Sequence, residues 1–488
     1  MTVFTHFAID PTYGYDDANI TMNYAQNIAN GHGYVYFVGG ERVEGSTSPL
    51  WTALNTLGYA LPLDIAHWLA TLGFAITALT IALTSALART IYGDSPFLPA
   101  LVSLCFVFYP IYFTWSVWSF MDIGLWVLLV MAVFCCVVRR MDETALHSNQ
   151  IVFCGLSILL VLTRPEGIAA VIGILGVASL ISRSMTKFRA PFVAAILAFV
   201  ALTAVRLWYF GAPLPNTFYA KVSTGYSDQF LDGIKYVLGF LGEPFVMLLV
   251  FGFALFPLAA PRHLLRFWML AVFSLVGIFL VYAILGGDHF YGFRFLQVTI
   301  PLLTVFAAIV ACHFIEERIR QRTMSKSLIF AALTVPVAGL FVGSWTVYYF
   351  DKDNYAVEHR LADIGRETGR LLSDYPGQPT IGVIPAGGIS IGFDGPIYDL
   401  LGLNWTKMAY ANRAHADRPT GHAAFEKSVF FETLPDIVDP RRTNCDEAAY
   451  ASTPWQLLLL DGLFKDEQFL SLYSFECWNG LAFYKKKV

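Results

Sequence analysis

YGYDDANITMNYAQNIANGHGYVY, Tyr13 to Tyr36, is polar, rich in glycine and carries two adjacent carboxylates; GGERVEGSTSPLWT, Gly39 to Thr52, continues it. A hydrophobic run broken only by short polar loops follows, from 64 to 350. Polar groups beside hydrocarbon are costly unless something satisfies or uses them. A stretch like this, kept at the edge of such a run, is therefore a candidate for chemistry.

Composition agrees with a membrane setting. The 488 residues are 56% hydrophobic and only 14% charged, with mean hydropathy +0.56. Soluble domains run near a quarter charged, so the chain reads as an integral membrane protein, mostly α. A net charge of −4 and the lack of a basic, aromatic-interleaved stripe argue against nucleic acid as a partner. Cys105, Cys135, Cys136, Cys154 and Cys312 lie in apolar spans, where a thiol behaves as a small hydrophobe. Cys445 and Cys477 lie in the polar tail and are able to pair if that tail is outside the cytoplasm. No cysteine–histidine cluster has zinc spacing.

Ten segments qualify as spans of the hydrocarbon: 64–89, 97–114, 121–138, 151–163, 167–182, 191–209, 244–260, 267–285, 295–314 and 327–349. The fourth and fifth are short and meet at Arg164-Pro165-Glu166-Gly167, which reads as a turn. Trp51 to Leu63 reads as a half-length or re-entrant segment. One set of loops carries twelve Lys/Arg and the alternating set five, counted from the sequence. The positive-inside rule places the richer set in the cytoplasm. The opening stretch, the Arg164 turn, loops 210–243 and 286–294 and the tail then share the outer, periplasmic face. With that orientation and no hydrophobic run ahead of it, the opening stretch leads us to expect one further N-terminal helix that this chain lacks, with Met1–Ile9 inserting by itself as the alternative.

The expected domains are an outer-face catalytic loop with a helix leading into the membrane (1–63), a polytopic membrane domain (64–350) and a periplasmic α/β domain (351–488). In the last, Ala356–Leu372 predicts a helix whose inner face is Val357, Leu361, Ile364, Thr368 and Leu371. Thr380–Ile384, Gln456–Leu460 and Leu481–Tyr484 predict strands.

Asp16-Asp17 is the first chemical candidate. A helix follows over Ala18–Asn30, with Ile20, Tyr24 and Ile28 on one face, and Gly31 and Gly33 end it. An Asp ahead of a helix is an ordinary N-cap, which accounts for one carboxylate and not both. Coupled carboxylates raise the pKa of one, which suits a general base. The turn chemistry of Ser46, Thr47, Ser48 and Pro49 leaves Glu44 unexplained. With His32 and Trp51, Glu44 has the donors, acceptors and aromatic floor of a sugar site. Arg164 and Glu166 are either a structural pair or, through the planar guanidinium, part of a phosphate site. The loops Pro213–Lys221 and Gly286–Arg294 interleave aromatics with Asn216, Tyr219, Lys221, Asp288, His289 and Arg294. An interfacial belt explains the aromatics but not the ionisable groups. Asp122 is a lone acid at the start of a span, where capping its helix is the plain alternative. Asp16, Asp17, Glu44 and Asp288 also offer an oxygen-only ligand set for a divalent cation, spread over three loops. No cofactor is required by the sequence, and no P-loop or dinucleotide fingerprint is present.

Taken together and in order, DDANITMNYAQNIANGHGYVY, GGERVEGSTSPLWT, RPEG (Arg164–Gly167), PNTFYAK (Pro215–Lys221), GGDHFYGFR (Gly286–Arg294) and DLLGL (Asp399–Leu403) resemble the arabinofuranosyltransferases of the GT-C class. Their relatives include mycobacterial arabinan-capping enzymes and a transferase acting on type IV pilin. The resemblance implies a GT-C-like helical bundle in the bacterial inner membrane. It implies transfer of D-arabinofuranose from a polyprenyl-phosphate donor to a glycan or pilin-like protein at the periplasmic face. It further implies an Asp of Asp16-Asp17 as base, with Arg and Lys of the later loops holding the phosphate; Arg164, Lys221, His289 and Arg294 are the candidates for that grip. His32, Glu44, Trp51, Asp122, Glu166, Asn216, Tyr219 and Asp288 are the expected sugar and acceptor contacts. The alternatives are another polyprenyl-phosphate sugar, such as mannose or aminoarabinose, or a lipid-linked glycan flippase. A flippase predicts ionisable residues at mid-span and broken helices facing each other.

Overall fold

A computed structural model describes residues 13–142, 149–221, 226–321, 339, 341–411 and 424–487. Met1–Ile9 and most of 327–349 lie outside the described residues; 341–350 is helical. The polar opening forms α1 (Asp16–Ala29), and α2 (Pro49–Ala60) follows. Ser48 starts α2 by accepting from the backbone N–H of Trp51, with Pro49 in the first turn, where its missing donor costs nothing.

The apolar run then builds α3 (Ile65–Tyr92), α4 (Phe97–Val107), α5 (Pro110–Trp118), α6 (Ile123–Met141), α7 (Gln150–Thr163), α8 (Gly167–Ser182), α9 (Arg189–Phe210), α10 (Tyr226–Leu241), α11 (Pro244–Ala259), α12 (Leu265–Ile284) and α13 (Thr299–Arg320). Among the described residues five helices are long and apolar enough to cross a membrane, or seven if each bent pair is one span. The segments Ile123–Met141 and Arg294–Arg320 form the centre, each 78% buried over its apolar window, whereas Thr186–Phe210 is only 17% buried. The outward-facing Trp208, Leu197 and Val200 of α9 belong in contact with lipid.

Two expectations about the spans are corrected. The segment read as one span at 97–114 is broken: α4 and α5 meet at 78°, because Pro110 lacks the N–H that would continue the helix. The 210–243 loop contains a helix, α10, which meets α11 at 81° ahead of Pro244.

The tail is α/β. Helix α14 (Lys352–Ser373) packs on a five-stranded sheet of β1 (Ile381–Val383), β2 (Ile397–Asp399), β3 (Ile437–Arg442), β4 (Tyr473–Trp478) and β5 (Leu481–Lys486), in the order β2-β1-β3-β5-β4. β1 is parallel to β2 and β3; β5 is antiparallel to β3 and β4. Cys445 and Cys477 are disulfide-bonded, with Cα atoms 5.8 Å apart. Gln456–Leu460, expected as a strand, lies largely in the helix Pro454–Leu459, since a short leucine run fits either state and Pro454 starts the helix.

The inner face of α14 is also corrected. Val357, Leu361 and Ile364 are exposed, whereas Thr368 is buried as expected and Leu371 partly so; the helix otherwise buries His359, Ala362, Arg366 and Gly369. The cause is backbone proximity to Gly387–Phe393: a Cβ on Gly369 would lie 2.6 Å from the Ile389 carbonyl oxygen, and one on Gly388 2.0 Å from that of Ala362. Small residues, not large apolar ones, set this contact.

The opening stretch and the tail share one core. Ile20, Tyr24, Tyr36 and Val43 pack with Ile381, Val383, Ile389, Phe393 and Phe483. His359 Nδ1 lies 3.0 Å from the Gly14 carbonyl oxygen, and Arg366 donates from Nε and Nη2 to Asn19 Oδ1 at 2.8 and 2.6 Å. α1 is thereby fixed by residues more than three hundred positions away.

Candidate active site

Asp16 and Asp17 occupy the first turn of α1 and point to different neighbours. Asp16 is buried and accepts from the backbone N–H groups of Gly387 (3.0 Å) and Gly388 (2.7 Å), one on each oxygen. A Cβ on Gly387 would stand 1.8 Å from the Asp16 carbonyl oxygen, so only glycine fits there. Burial pushes the Asp16 carboxyl up to about 6, despite the two amide donors.

Asp17 lines a cleft of about 160 Å³ with Ser46, Thr47, Trp51, Asp122, Arg164, Lys221 and Arg294. Its Oδ2 lies 3.4 Å from Arg294 Nη1. Burial raises this carboxyl, but Lys221, Arg294 and His289 outweigh it and hold the group below the usual carboxylate range. Asp17 is therefore ionised at neutrality.

Arg294 is the cation at the centre of the cluster. Its Nε is 2.5 Å from Asp288 Oδ2, its Nη2 is 3.2 Å from Asp288 Oδ1, and its guanidinium lies 4.1 Å from the Phe290 ring centroid and 4.6 Å from that of Phe295. Asp288 thus braces Arg294 instead of offering itself to a sugar. His289 is pushed down to about 4 by burial and by Arg294, so at neutrality it is a neutral imidazole and not a second cation. Lys221 reaches the cleft from the short helix Asn216–Lys221 and makes no ion pair with any described residue.

Arg164 forms the other side. Its Nη1 is 3.1 Å from both oxygens of Asp122, its Nε is 3.1 Å from Glu166 Oε1, and the Tyr282 hydroxyl donates to that same oxygen at 3.2 Å. Asp122 makes no capping bond to its own helix. Beyond Glu166 an apolar groove of about 130 Å³ runs between α6, α8 and α12, past Trp126, Gly173, Gly277 and Tyr282.

Other expected contacts lie elsewhere. Glu44 gives both oxygens to Arg206, at 2.8 Å each, with both side chains buried. It lines a different cavity from Asp17, with Arg42, Phe210 and Tyr410. Arg206 stands near the end of an apolar helix and carried no motif. Asn216 donates to the carbonyls of Gly402 (2.8 Å) and Leu403 (3.0 Å), and Tyr219 stacks on Tyr410 at 4.4 Å. His32 is exposed, near the far end of α1. Trp51 does line the cleft, and its indole N–H donates to the Phe120 carbonyl at 3.0 Å. The four carboxylates considered for a cation do not converge, and no group of three metal-ligating side chains exists among the described residues.

Glu358, on α14, does not line the cleft but is near enough to feel Asp17 and Asp16, and no sequence signal revealed it. Burial, then Asp17 and Asp16, push it up to about 8. It is therefore protonated at neutrality, beside an ionised Asp17.

No protein-family model and no curated protein sequence matches the chain. Among solved structures, ArnT from Cupriavidus metallidurans bound to undecaprenyl phosphate matches with a TM-score of 0.59 at 13% identity, covering 100% of this chain and 96% of that one. The fold is GT-C. ArnT in the apo state matches at 0.56, also with 13% identity and coverages of 100% and 96%. The Archaeoglobus fulgidus oligosaccharyltransferase AglB, in complex with an inhibitory peptide and a dolichol-phosphate, matches at 0.55 with 12% identity, covering 100% of this chain and 73% of its own. Within this GT-C frame, the Asp17 cleft sits where the opening stretch, the tail and the loops of the helical bundle meet.

Proposed function

We propose that the chain transfers a sugar, D-arabinofuranose by its motif resemblance, from a polyprenyl-phosphate donor to a glycan or protein acceptor at the periplasmic face of a bacterial inner membrane. One observation carries this reading: an ionised carboxylate faces Arg294, Lys221 and Arg164 in a cleft joined, through the Arg164–Glu166 pair, to an apolar groove within the bundle. That is the form of a site for a lipid phosphate. The polyprenyl chain lies in the groove and its phosphate at Arg294 and Lys221. ArnT and AglB, whose solved structures hold undecaprenyl phosphate and a dolichol-phosphate, support the same class of donor.

The acceptor hydroxyl gives its proton to Asp17 Oδ, its oxygen attacks the anomeric carbon, and the bond from that carbon to the phosphate oxygen breaks. The lipid phosphate leaves with the electron pair, its charge met by Arg294 and Lys221. Bound phosphate also offsets the cations that depress Asp17, so the base strengthens when the donor is in place.

Purified protein with polyprenyl-phospho-arabinofuranose and an arabinan oligosaccharide is expected to yield an acceptor heavier by one pentose, read by mass spectrometry. Transfer from a mannose donor but not from arabinose would replace the sugar assignment. Passage of the lipid across a vesicle membrane with no transfer from any donor would replace the reaction.

A further inference from the structure

Both sharp helix breaks, Phe108–Ile111 between α4 and α5 and Glu243–Phe245 between α10 and α11, line one cavity of about 450 Å³. It is separate from the Asp17 cleft but lies at the same end of the bundle. The loop Gly286–Arg294 serves both: Arg294 faces Asp17, while Tyr291 faces the cavity.

The walls are aromatic. On one side Tyr355 lies 4.8 Å from Tyr348 and 4.8 Å from Tyr291, ring to ring; on the other Tyr109 stacks on Phe245 at 5.4 Å and 17°. Two carboxylates enter this box. Asp351, at the end of the helix 341–350, accepts from the Tyr291 hydroxyl at 3.0 Å. Glu243 enters from the break before Pro244, where burial and then the nearby Asp351 raise its carboxyl above the ordinary glutamate value. Neither is in an ion pair with a described residue; the adjacent Lys352 lies instead over the Tyr349 ring, at 4.5 Å.

Two carboxylates in a mostly apolar cavity, with no ion-pair partner among the described residues, suit a bound cation. Aromatic faces around it select an organic ammonium over a strongly hydrated metal ion. The same cavity has a place for a tail. Gly339 and Gly343, one turn apart, face it with no atom of a described residue within 4 Å of where a Cβ would stand, leaving a trench along the helix beside Ser344 and Val347. The exposed Phe341, Val342 and Val347 carry an apolar surface on from it.

We propose that this cavity is a binding site for a membrane lipid with an ammonium headgroup, held between Glu243 and Asp351 with its chain in the Gly339–Gly343 trench. Such a lipid would fix both helix breaks and brace the outer side of the Gly286–Arg294 loop, whose inner side carries Arg294. The site does not depend on the transfer reaction, so its test reads binding alone.

The full chain in nanodiscs of equal palmitoyl-oleoyl phosphatidylethanolamine and phosphatidylglycerol would be released and examined by native mass spectrometry for retained lipid. Retention of phosphatidylethanolamine is expected about tenfold above phosphatidylglycerol, the size of one desolvated cation–aromatic and charge contact. Glu243→Gln with Asp351→Asn is expected to erase that preference. Gly343→Leu, which leaves both carboxylates in place and fills the trench, is expected to lower retention of the same lipid. Equal retention of the two lipids by the wild-type chain would overturn the proposal. So would unchanged preference in a folded double variant, or an adduct that is a divalent metal removed by chelator.

Discussion

Among the acid–arginine pairs at the polar end of this molecule, two are built differently. Glu44 and Arg206 meet through two bonds of 2.8 Å, with both side chains buried. Asp17 and Arg294 approach only to 3.4 Å, in a cleft, and Arg294 spends its better contacts on Asp288. A bidentate buried pair satisfies most of its own charge and has little to give a ligand. The looser pair has more, beside a Lys221 that forms no ion pair with any described residue. The first locks the loop Gly39–Ser48 to the membrane helix α9. The second leaves positive charge directed into open space, as a phosphate site requires.

The predictions that break or sharpen this contrast differ in size. The largest effect belongs to Asp17→Asn, expected to lower transfer by about 10²–10⁴-fold, the range of general-base contributions, with no loss of thermal stability. Were Asp17 as structural as Glu44, melting would fall with activity. Next comes Arg206→Met, which strands the buried Glu44 carboxylate. A loss of about 3–5 kcal/mol is expected, measured by denaturation in detergent, and Glu44→Gln with Arg206→Met should recover much of it. Gly387→Ala is expected to be smaller in stability but visible in rate, because the added methyl pushes Asp16 and the first turn of α1 away from the tail. Steady-state kinetics should show a rise in KM together with a fall in kcat. Unchanged values of both would mean that the tail does not set the position of α1 in the site.

The smallest expected effect is in the pH profile. The Glu358 carboxyl is raised to about 8 by burial and by Asp17 and Asp16. An acid raised on folding lends stability that is full below its unfolded pKa and is lost as pH rises through the folded one. Thermal stability should therefore decline from the ordinary glutamate range up to about pH 8, and transfer should fall above it as a new negative charge appears beside Asp17. Glu358→Gln is expected to flatten both limbs; an unaltered alkaline limb would mean that Glu358 does not act on Asp17.

Much of the membrane frame was legible because it depends on local pattern. Apolar length marks spans, and the turn at Arg164–Glu166 was plain between α7 and α8. What sequence periodicity missed depends on close backbone contact or on distant partners. The inner face of α14 follows glycine and alanine against Gly387–Phe393, so leucine and isoleucine spacing pointed the wrong way. The candidate residues were visible as polar groups in the wrong setting, but their partners were not. Glu44 gave no hint of Arg206, nor Asp16 of Gly387 and Gly388, some 370 positions later. Asp16 and Asp17 were indistinguishable as neighbours in sequence; one helical step separates a carboxylate bound by two amides from one that faces cations.

That separation is most directly tested by assaying Asp16→Asn and Asp17→Asn side by side for pentose transfer from polyprenyl-phospho-arabinofuranose, with melting temperature recorded for each. Asp17→Asn is expected to be folded and inactive, and Asp16→Asn to be less stable yet still able to transfer. Full transfer by Asp17→Asn, or loss of transfer by a stably folded Asp16→Asn alone, would contradict it.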